Sequence, residues 1–497
     1  MPISHETYAS LTLEDTLWGL RSGAFTAPEL LDAALARIDA CEPAVNAVIT
    51  MDIPGATKAA GAWPRNGTRA GTGASLAGAP IAVKDNLMTR GLKTTCGSRI
   101  LGNFVPPYDA GVVEKLRAAG AVIVCKTNMD EFAMGSSGRN SAYGATGNPW
   151  NPKLVPGGSS SGSAAIVAYG GVPAAIGTDT GGSIRQPASF CGLVGMKPTY
   201  GRVSRWGVGA LGSSLDQVGP ITRTVRDNAL LFDIIAGHDG RDSSSLENPF
   251  VPTLPTIEDG VAGLRTAYDP GLLDRGGVHP AHAEAIRFAV KAIRGAGGEV
   301  VEVALPLVKY GVAAYYIICA CESSANLARF DGVRYGVRER AGGGLWDTYS
   351  KTRGLGFGDE VKRRIMMGAY ALSSGYYDAY YLKAARVRRL FATEYEKLLA
   401  GVDVVLLPVT PAPPRPLDQD CTPLENYLGD VFTVPANMAG IPALAFPVGT
   451  HDGLPVGVQA MAGYFREDAL YRLARTIEKE ATLSDPPWAR PAPEAGQ

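Results

Sequence analysis

Near the start of the chain apolar residues recur every three to four positions. Leu13, Leu17 and Leu20 fall on one face of a helix opened by Thr12-Leu13-Glu14-Asp15. Leu30, Leu31, Ala34 and Ile38 do the same for a second helix opened by Thr26-Ala27-Pro28-Glu29. The two predict an N-terminal helical region, residues 1–70, packed on whatever core follows. From Gly55 to Gly78 the chain is rich in Gly, Ala and Thr without apolar periodicity, which predicts an exposed connection.

From Pro80 short apolar runs alternate with helical stretches. Ile81 to Val83, Val112 to Ala119, Ala121 to Cys125 and Ala174 to Ile176 come first, and the alternation predicts an α/β fold on a largely parallel or mixed sheet. It resumes after the Pro-rich stretch Asn248 to Ile257, with Leu264 to Tyr268, a helix from about Pro280 to Ala296, and Glu299 to Val303. A long helix over Tyr376 to Leu399 and strands at Val402 to Leu407, Leu444 to Val448 and Val456 to Met461 complete the pattern. One main unit over 71–490 is expected, in two halves, 78–240 and 258–482.

Composition narrows the possibilities. A chain of 497 residues with 46% hydrophobic content buries a large core, as one large or two fused domains. With 47 basic and 48 acidic residues the formal net charge is -1, so no general attraction to nucleic acid or anionic lipid is expected. The first twenty residues lack a basic start and apolar stretch, and no window reaches the roughly 18 apolar residues of a membrane span. A soluble cytoplasmic protein is expected, with no membrane contact. Seven widely spread cysteines fit reduced thiols, and the one close histidine pair, His279 and His282, has no ligand pattern around it. No metal is expected.

The candidate chemistry is concentrated in two glycine-serine loops, Pro156 to Ser163 and Gly177 to Pro187, flanking one short apolar segment. Such composition is common in flexible linkers, but the flanks here are apolar. Gly158-Ser159-Ser160-Ser161-Gly162 fits the G-x-S-x-G nucleophile elbow, with Ser160 attacking. That motif needs a strand before it, and Asn151 to Pro156 has prolines that disfavour one. Gly207-Val208-Gly209-Ala210-Leu211-Gly212 formally matches a dinucleotide fingerprint but has no strand before it and no clear helix after it. No phosphate-binding G-x-x-x-x-G-K-[ST] occurs, so nothing points to ATP hydrolysis by this chain.

The spacing of Lys84, Ser159 and Ser183, together with GGSSSGSA and DTGGSIRQP, resembles the amidase signature family. The resemblance implies an amidase signature fold, a mixed β-sheet core covered by helices on both faces. It also implies that Ser183 attacks an amide carbonyl, Ser159 relays its proton and Lys84 receives it. The residue types suit the task. A serine needs a neighbouring base, and a lysine is a base only when neutral, which burial favours. Lys84 follows Ala79-Pro80-Ile81-Ala82-Val83, a buried strand by its pattern. Glycines before Ser183 leave backbone N–H groups unobstructed, so Thr180, Gly181, Gly182 and Ser183 are candidate oxyanion donors, each worth roughly 3 to 4 kcal/mol. In the family the relay serine follows a cis peptide bond, here Gly158-Ser159.

Further blocks are similar to one branch of that family, the glutamine-hydrolysing subunits of tRNA-dependent amidotransferases. They are VKDNL (83–87), NMDEFAMG (128–135), MKPTYGRVSR (196–205), SSLDQVGP (213–220), SSANLARFDGVRYG (323–336), ALSSGYYDAYYLKA (371–384) and GLPVGVQ (453–459). The similarity implies that glutamine is the substrate, held by Tyr315, Arg364 on its α-carboxylate and Asp430 on its α-ammonium. It implies ammonia supply for converting Glu-tRNA(Gln) to Gln-tRNA(Gln). It also implies a partner B subunit carrying tRNA, ATP and Mg, a small C subunit, and no cofactor in this chain. Arg364 adjoins Arg363, so the assignment is open by one residue. Ser161, Ser136 and Leu211 depart from the branch's usual residues. A free-standing amidase for another small amide and a silent scaffold remain the alternatives, the second disfavoured by intact Lys84, Ser159 and Ser183.

Overall fold

The computed structural model describes residues 3–64, 75–274, 277–339 and 342–491. Its centre is one mixed sheet of eleven strands. They are β1 (Val48–Met51), β2 (Pro80–Lys84), β3 (Val122–Thr127), β4 (Ala174–Asp179), β5 (Val194–Lys197), β6 (Gln217–Thr222), β7 (Arg265–Tyr268), β8 (Glu299–Glu302), β9 (Val404–Pro408), β10 (Ala443–His451) and β11 (Leu454–Ala462). The order is β1-β3-β2-β4-β6-β5-β10-β11-β9-β7-β8. Every strand before residue 223 thus lies on one side of the β5–β10 pair, and every later strand on the other. The two halves read from the sequence share a single sheet.

Both faces are covered, and alternation along the strands shows it. Val404 and Leu406 of β9 enter one apolar cluster, Val405 and Leu407 the other. Both sets are almost fully buried, which is why these strands read as continuous apolar runs. The N-terminal helices Leu13–Ser22 and Ala27–Val45 start where expected, each closed by a capping box, Thr12 with Asp15 and Thr26 with Glu29.

Several elements differ from the pattern. Residues 55–61, the start of the expected exposed connection, belong to the helix Ile53–Gly61, capped by Asp52, with Ala56 and Ala60 buried against Ala27–Val45 and β3. Alanines four apart pack a face without supplying the bulk that periodicity detects. Residues 65–74 of that predicted connection lie outside the described residues. The N-terminal region also supplies a strand, β1, antiparallel to β3. Strands β5 and β6, absent from the pattern, pair antiparallel through Val194–Thr222 and Gly195–Ile221, and a Cβ on Gly219 of β6 would come within 2.0 Å of the Met196 carbonyl oxygen. The predicted long helix begins with a π-helical turn, Asp378–Leu382, before the α-helix Lys383–Leu399. Among the described residues no helix is long and apolar enough to cross a membrane.

Candidate active site

Strands β2 and β4 run parallel, and their register pairs Val83 with Ile176. Lys84, the last residue of β2, therefore reaches Thr178 at the carboxyl end of β4, the edge of a parallel pair where ligands commonly bind. Its Nζ lies 2.8 Å from Ser159 Oγ, 2.9 Å from Ser160 Oγ, 2.9 Å from Thr178 Oγ1 and 3.3 Å from the Thr178 carbonyl oxygen. The lysine is fully buried, and burial pulls its pKa down to about 7 against the opposing pull of Asp130, Asp179 and Asp216. A neutral amine has two N–H groups and one lone pair, so a hydroxyl must donate to it. Ser160 Oγ donates to the Thr178 carbonyl at 3.1 Å, which leaves the Ser159 and Thr178 hydroxyls for that role.

The Gly158–Ser159 peptide bond is cis. Ser160 N–H donates to the Ser183 carbonyl at 3.1 Å, tying the two glycine-serine loops together. Ser183 keeps 7% exposure, whereas Ser159 and Ser160 have none. The elbow reading fails on this arrangement. No strand precedes Ser160, its hydroxyl is engaged with Lys84 and Thr178, and no histidine contacts it among the described residues. Ser161, one of the departures, turns toward Thr146 rather than Lys84.

Asp179 organises the loop that carries Ser183. Its carboxylate accepts from Gly182 N–H (2.9 Å), Ile184 N–H (3.2 Å), Arg185 Nε (3.0 Å) and Nη2 (3.1 Å), and Asn437 Nδ2 (2.9 Å). Burial alone would raise its pKa, but the Arg185 guanidinium and these donors hold it at about 2. The Gly182 expectation is thereby corrected: its N–H faces Asp179, not a substrate oxygen. Thr180, Gly181 and Ser183 keep uncommitted N–H groups among the described residues. Arg185 also donates to the Thr433 carbonyl and Gln459 Oε1, both at 2.9 Å, so the loop is clamped to the distal half of the sheet. Asp179→Ala leaves that buried guanidinium short of its counter-charge and is expected to cost about 3 to 5 kcal/mol of stability. Guanidinium chloride unfolding measures this, and a loss under about 1 kcal/mol would mean the clamp is not what holds the loop.

The residues expected to hold substrate come together beside this loop. Tyr315 lies against Gly181, where a Cβ would stand 2.6 Å from the tyrosine hydroxyl oxygen. Tyr316, missed in the sequence, donates its hydroxyl to Asp430 Oδ2 at 2.7 Å, and its ring stacks on Tyr427 at 3.7 Å. The Arg364 guanidinium sits 4.8 Å from the Tyr316 ring centre. Arg364 and Asp430 thus bracket one aromatic ring with opposite charges. The two adjacent arginines differ in burial: the Arg364 side chain is 3% exposed and faces the Tyr316 ring, that of Arg363 is 42% exposed. Glu360, four residues earlier on the helix Asp359–Ala371, pins Arg364 Nε at 2.8 Å and accepts from the Tyr427 hydroxyl at 2.9 Å. That i, i+4 spacing was a readable signal. Burial raises the Asp430 pKa to about 7, while Tyr316 and Arg364 pull it down. A cavity of about 190 Å³ opens beside Arg364, between Glu360, Tyr427, Asn140 and Ser136. Among the described residues no cluster of His, Cys, Asp or Glu is arranged to hold a metal ion.

A buried lysine of lowered pKa hydrogen-bonded to Ser159 Oγ, a further serine, Ser183, in the adjoining loop and backbone N–H groups left uncommitted form an arrangement suited to acyl transfer from an amide. Comparisons point the same way. A family model described as Amidase matches residues 29–471. The chain is 50% identical over 471 residues to the A-type component of the glutamyl-tRNA(Gln) amidotransferase of Geobacter metallireducens, covering 94% of this chain and 97% of that one. The crystal structure of the component of the same name from Thermotoga maritima matches with 40% identity and TM-score 0.78, over 95% of each chain. A peptide amidase from Stenotrophomonas maltophilia matches with 32% identity and TM-score 0.81, over 97% of this chain and 99% of that one.

Proposed function

For a chain that belongs to the amidase family, we propose the role of glutaminase subunit in a tRNA-dependent amidotransferase. Ser183 Oγ attacks the side-chain amide carbon of glutamine while its proton passes through Ser159 to neutral Lys84. The resulting oxyanion meets the N–H groups of Thr180, Gly181 and Ser183. Collapse breaks the C–N bond, Lys84 returns the proton through Ser159 to the leaving nitrogen, and ammonia departs. Water then cleaves the glutamyl ester on Ser183 to give glutamate.

The observation that carries this reading is the pair of opposite charges, Arg364 and Asp430, flanking Tyr316 beside the serine cluster. An amide without charges gains nothing from such a pair, whereas the α-carboxylate and α-ammonium of an amino acid match it. The planar fork of Arg364 suits the carboxylate. In this reading the ammonia goes to a B subunit that holds tRNA, ATP and Mg, converting Glu-tRNA(Gln) to Gln-tRNA(Gln), with a small C subunit completing the complex in the cytoplasm. The neutral net charge of this chain agrees with tRNA contact lying mainly on the partner.

The test is to reconstitute the chain with candidate B and C subunits and compare glutamine with butyramide, which lacks both charged groups. Glutamine strongly preferred, with label from its amide nitrogen appearing on tRNA, is the expected result. Equal use of the two amides would replace this reading with a free-standing amidase. The pH dependence is equally specific. Lys84 must be neutral and Asp430 ionised, and both states are gained as pH rises through about 7. Log kcat/KM below pH 7 is therefore expected to climb with a slope approaching two for glutamine but near one for butyramide. A common slope would remove Asp430 from substrate binding.

A further inference from the structure

Gln186 stands three residues after Ser183 in the short helix Arg185–Phe190, 3% exposed, and none of the roles above uses it. Its side chain makes two hydrogen bonds, one to each part of the machinery. Oε1 accepts from Gly158 N–H at 3.0 Å, and Nε2 donates to Asp430 Oδ1 at 3.4 Å. Only this orientation of the amide works. Flipped, it would set an NH₂ against the Gly158 N–H and an oxygen against a carboxylate.

From these contacts we infer that Gln186 is a positioning residue that couples the ammonium-binding carboxylate of Asp430 to the peptide carrying the relay serine, Ser159. The inference rests on the glutaminase reading. Asp430 is gripped on both oxygens, Oδ1 by Gln186 and Oδ2 by the Tyr316 hydroxyl, so its free lone pairs have a fixed direction. At the other end of Gln186, Gly158 has no room to drift. A Cβ there would meet Asp130 Oδ2 at 2.1 Å, and one on Gly157 would meet Gln186 Oε1 at 3.1 Å. Ser159, next in the chain, has its carbonyl held by Asp130 N–H at 3.2 Å. One side chain thus sets the distance between where the amino acid's ammonium is held and where the proton relay begins.

The coupling makes a prediction that simple packing does not. Gln186→Met keeps the volume and removes both hydrogen bonds. Losing a donor to the charged form raises the pKa of Asp430. The other groups acting on that carboxylate, Tyr316, Arg364, Asp179 and Arg185, are unchanged. Losing the acceptor for Gly158 N–H loosens the relay.

The experiment uses the reconstituted complex with glutamine and with glutaramate, which is glutamine without its α-amino group. In Gln186→Met the preference for glutamine over glutaramate in kcat/KM is expected to fall about tenfold. The acid limb of the glutamine profile moves to higher pH while that of glutaramate stays, and kcat on glutaramate drops severalfold. In an Asp430→Asn background the same substitution should lower kcat on glutaramate but change the preference no further, because the two residues act as one unit. A uniform loss on both substrates with preference and acid limb unmoved, or an equal loss of preference in the Asp430→Asn background, overturns the inference. A wild-type complex that shows no preference for glutamine over glutaramate would instead overturn the ammonium role of Asp430, and this inference with it. Denaturant unfolding of each variant separates these outcomes from simple loss of folding.

Discussion

Lys84→Arg is expected to leave less than about a tenth of wild-type amide hydrolysis, nearly as little as Lys84→Ala, although it keeps the positive charge. The reason lies in which protonation state works. Burial brings the Lys84 pKa to about 7, so a large fraction of the amine is neutral near neutral pH and can take the proton from Ser159. A guanidinium cannot become neutral in a protein and would occupy the cage of oxygens as a permanent cation. A tenfold deficit corresponds to about 1.4 kcal/mol of barrier, well within steady-state resolution. Activity above that level would take Lys84 out of the proton path. Ser183→Ala should be at least as damaging, whereas Ser160→Ala should keep measurable turnover, since Ser160 supports Lys84 without facing substrate.

The second large effect concerns recognition. Asp430→Ala and Arg364→Ala should each depress kcat/KM for glutamine by roughly thirtyfold or more, about 2 kcal/mol, because each leaves one charged group of a confined ligand unpaired. Butyramide, with nothing for either residue to hold, should lose less than about threefold. The contrast between substrates is the measurement. Equal losses on both would mean that the two residues hold the pocket together and do not recognise an amino acid. Arg364→Ala carries a secondary effect, since Glu360 would keep only Arg363 and the Tyr427 hydroxyl.

How much of this was legible in the sequence follows from how local each feature is. Ser159 and Ser183 stood out as candidates because each lies in a contiguous glycine-serine segment, Lys84 was joined to them by the family resemblance, and β2 announced the burial of Lys84 as an apolar run. Thr178 and Gln186 were not readable. Their roles depend on the register of β4 against β2 and on Asp430, 244 residues away from Gln186. The orientation of Gly182 could not be read from its glycine neighbours, since it depends on the loop folding back onto the Asp179 carboxylate. Helix Val308–Leu327, which carries Tyr315 and Tyr316, is apolar on nearly every side and so lacks the stripe that marks a surface helix. Arg363 and Arg364 are the same residue type side by side, and only packing tells them apart.

The β5–β10 pairing has a consequence for how the protein is made. Strand β5 ends at Lys197 and its partner begins at Ala443, so 443 − 197 = 246 residues must follow before that edge is covered. At a translation rate of about 5 to 20 residues per second, the nascent chain carries an unpaired edge strand for roughly 12 to 50 s. An open edge is a template for pairing with other chains. Polysomes crowded with copies of this message place such edges side by side, so the yield of the protein in a cell should depend on what shields β5 until its partner emerges.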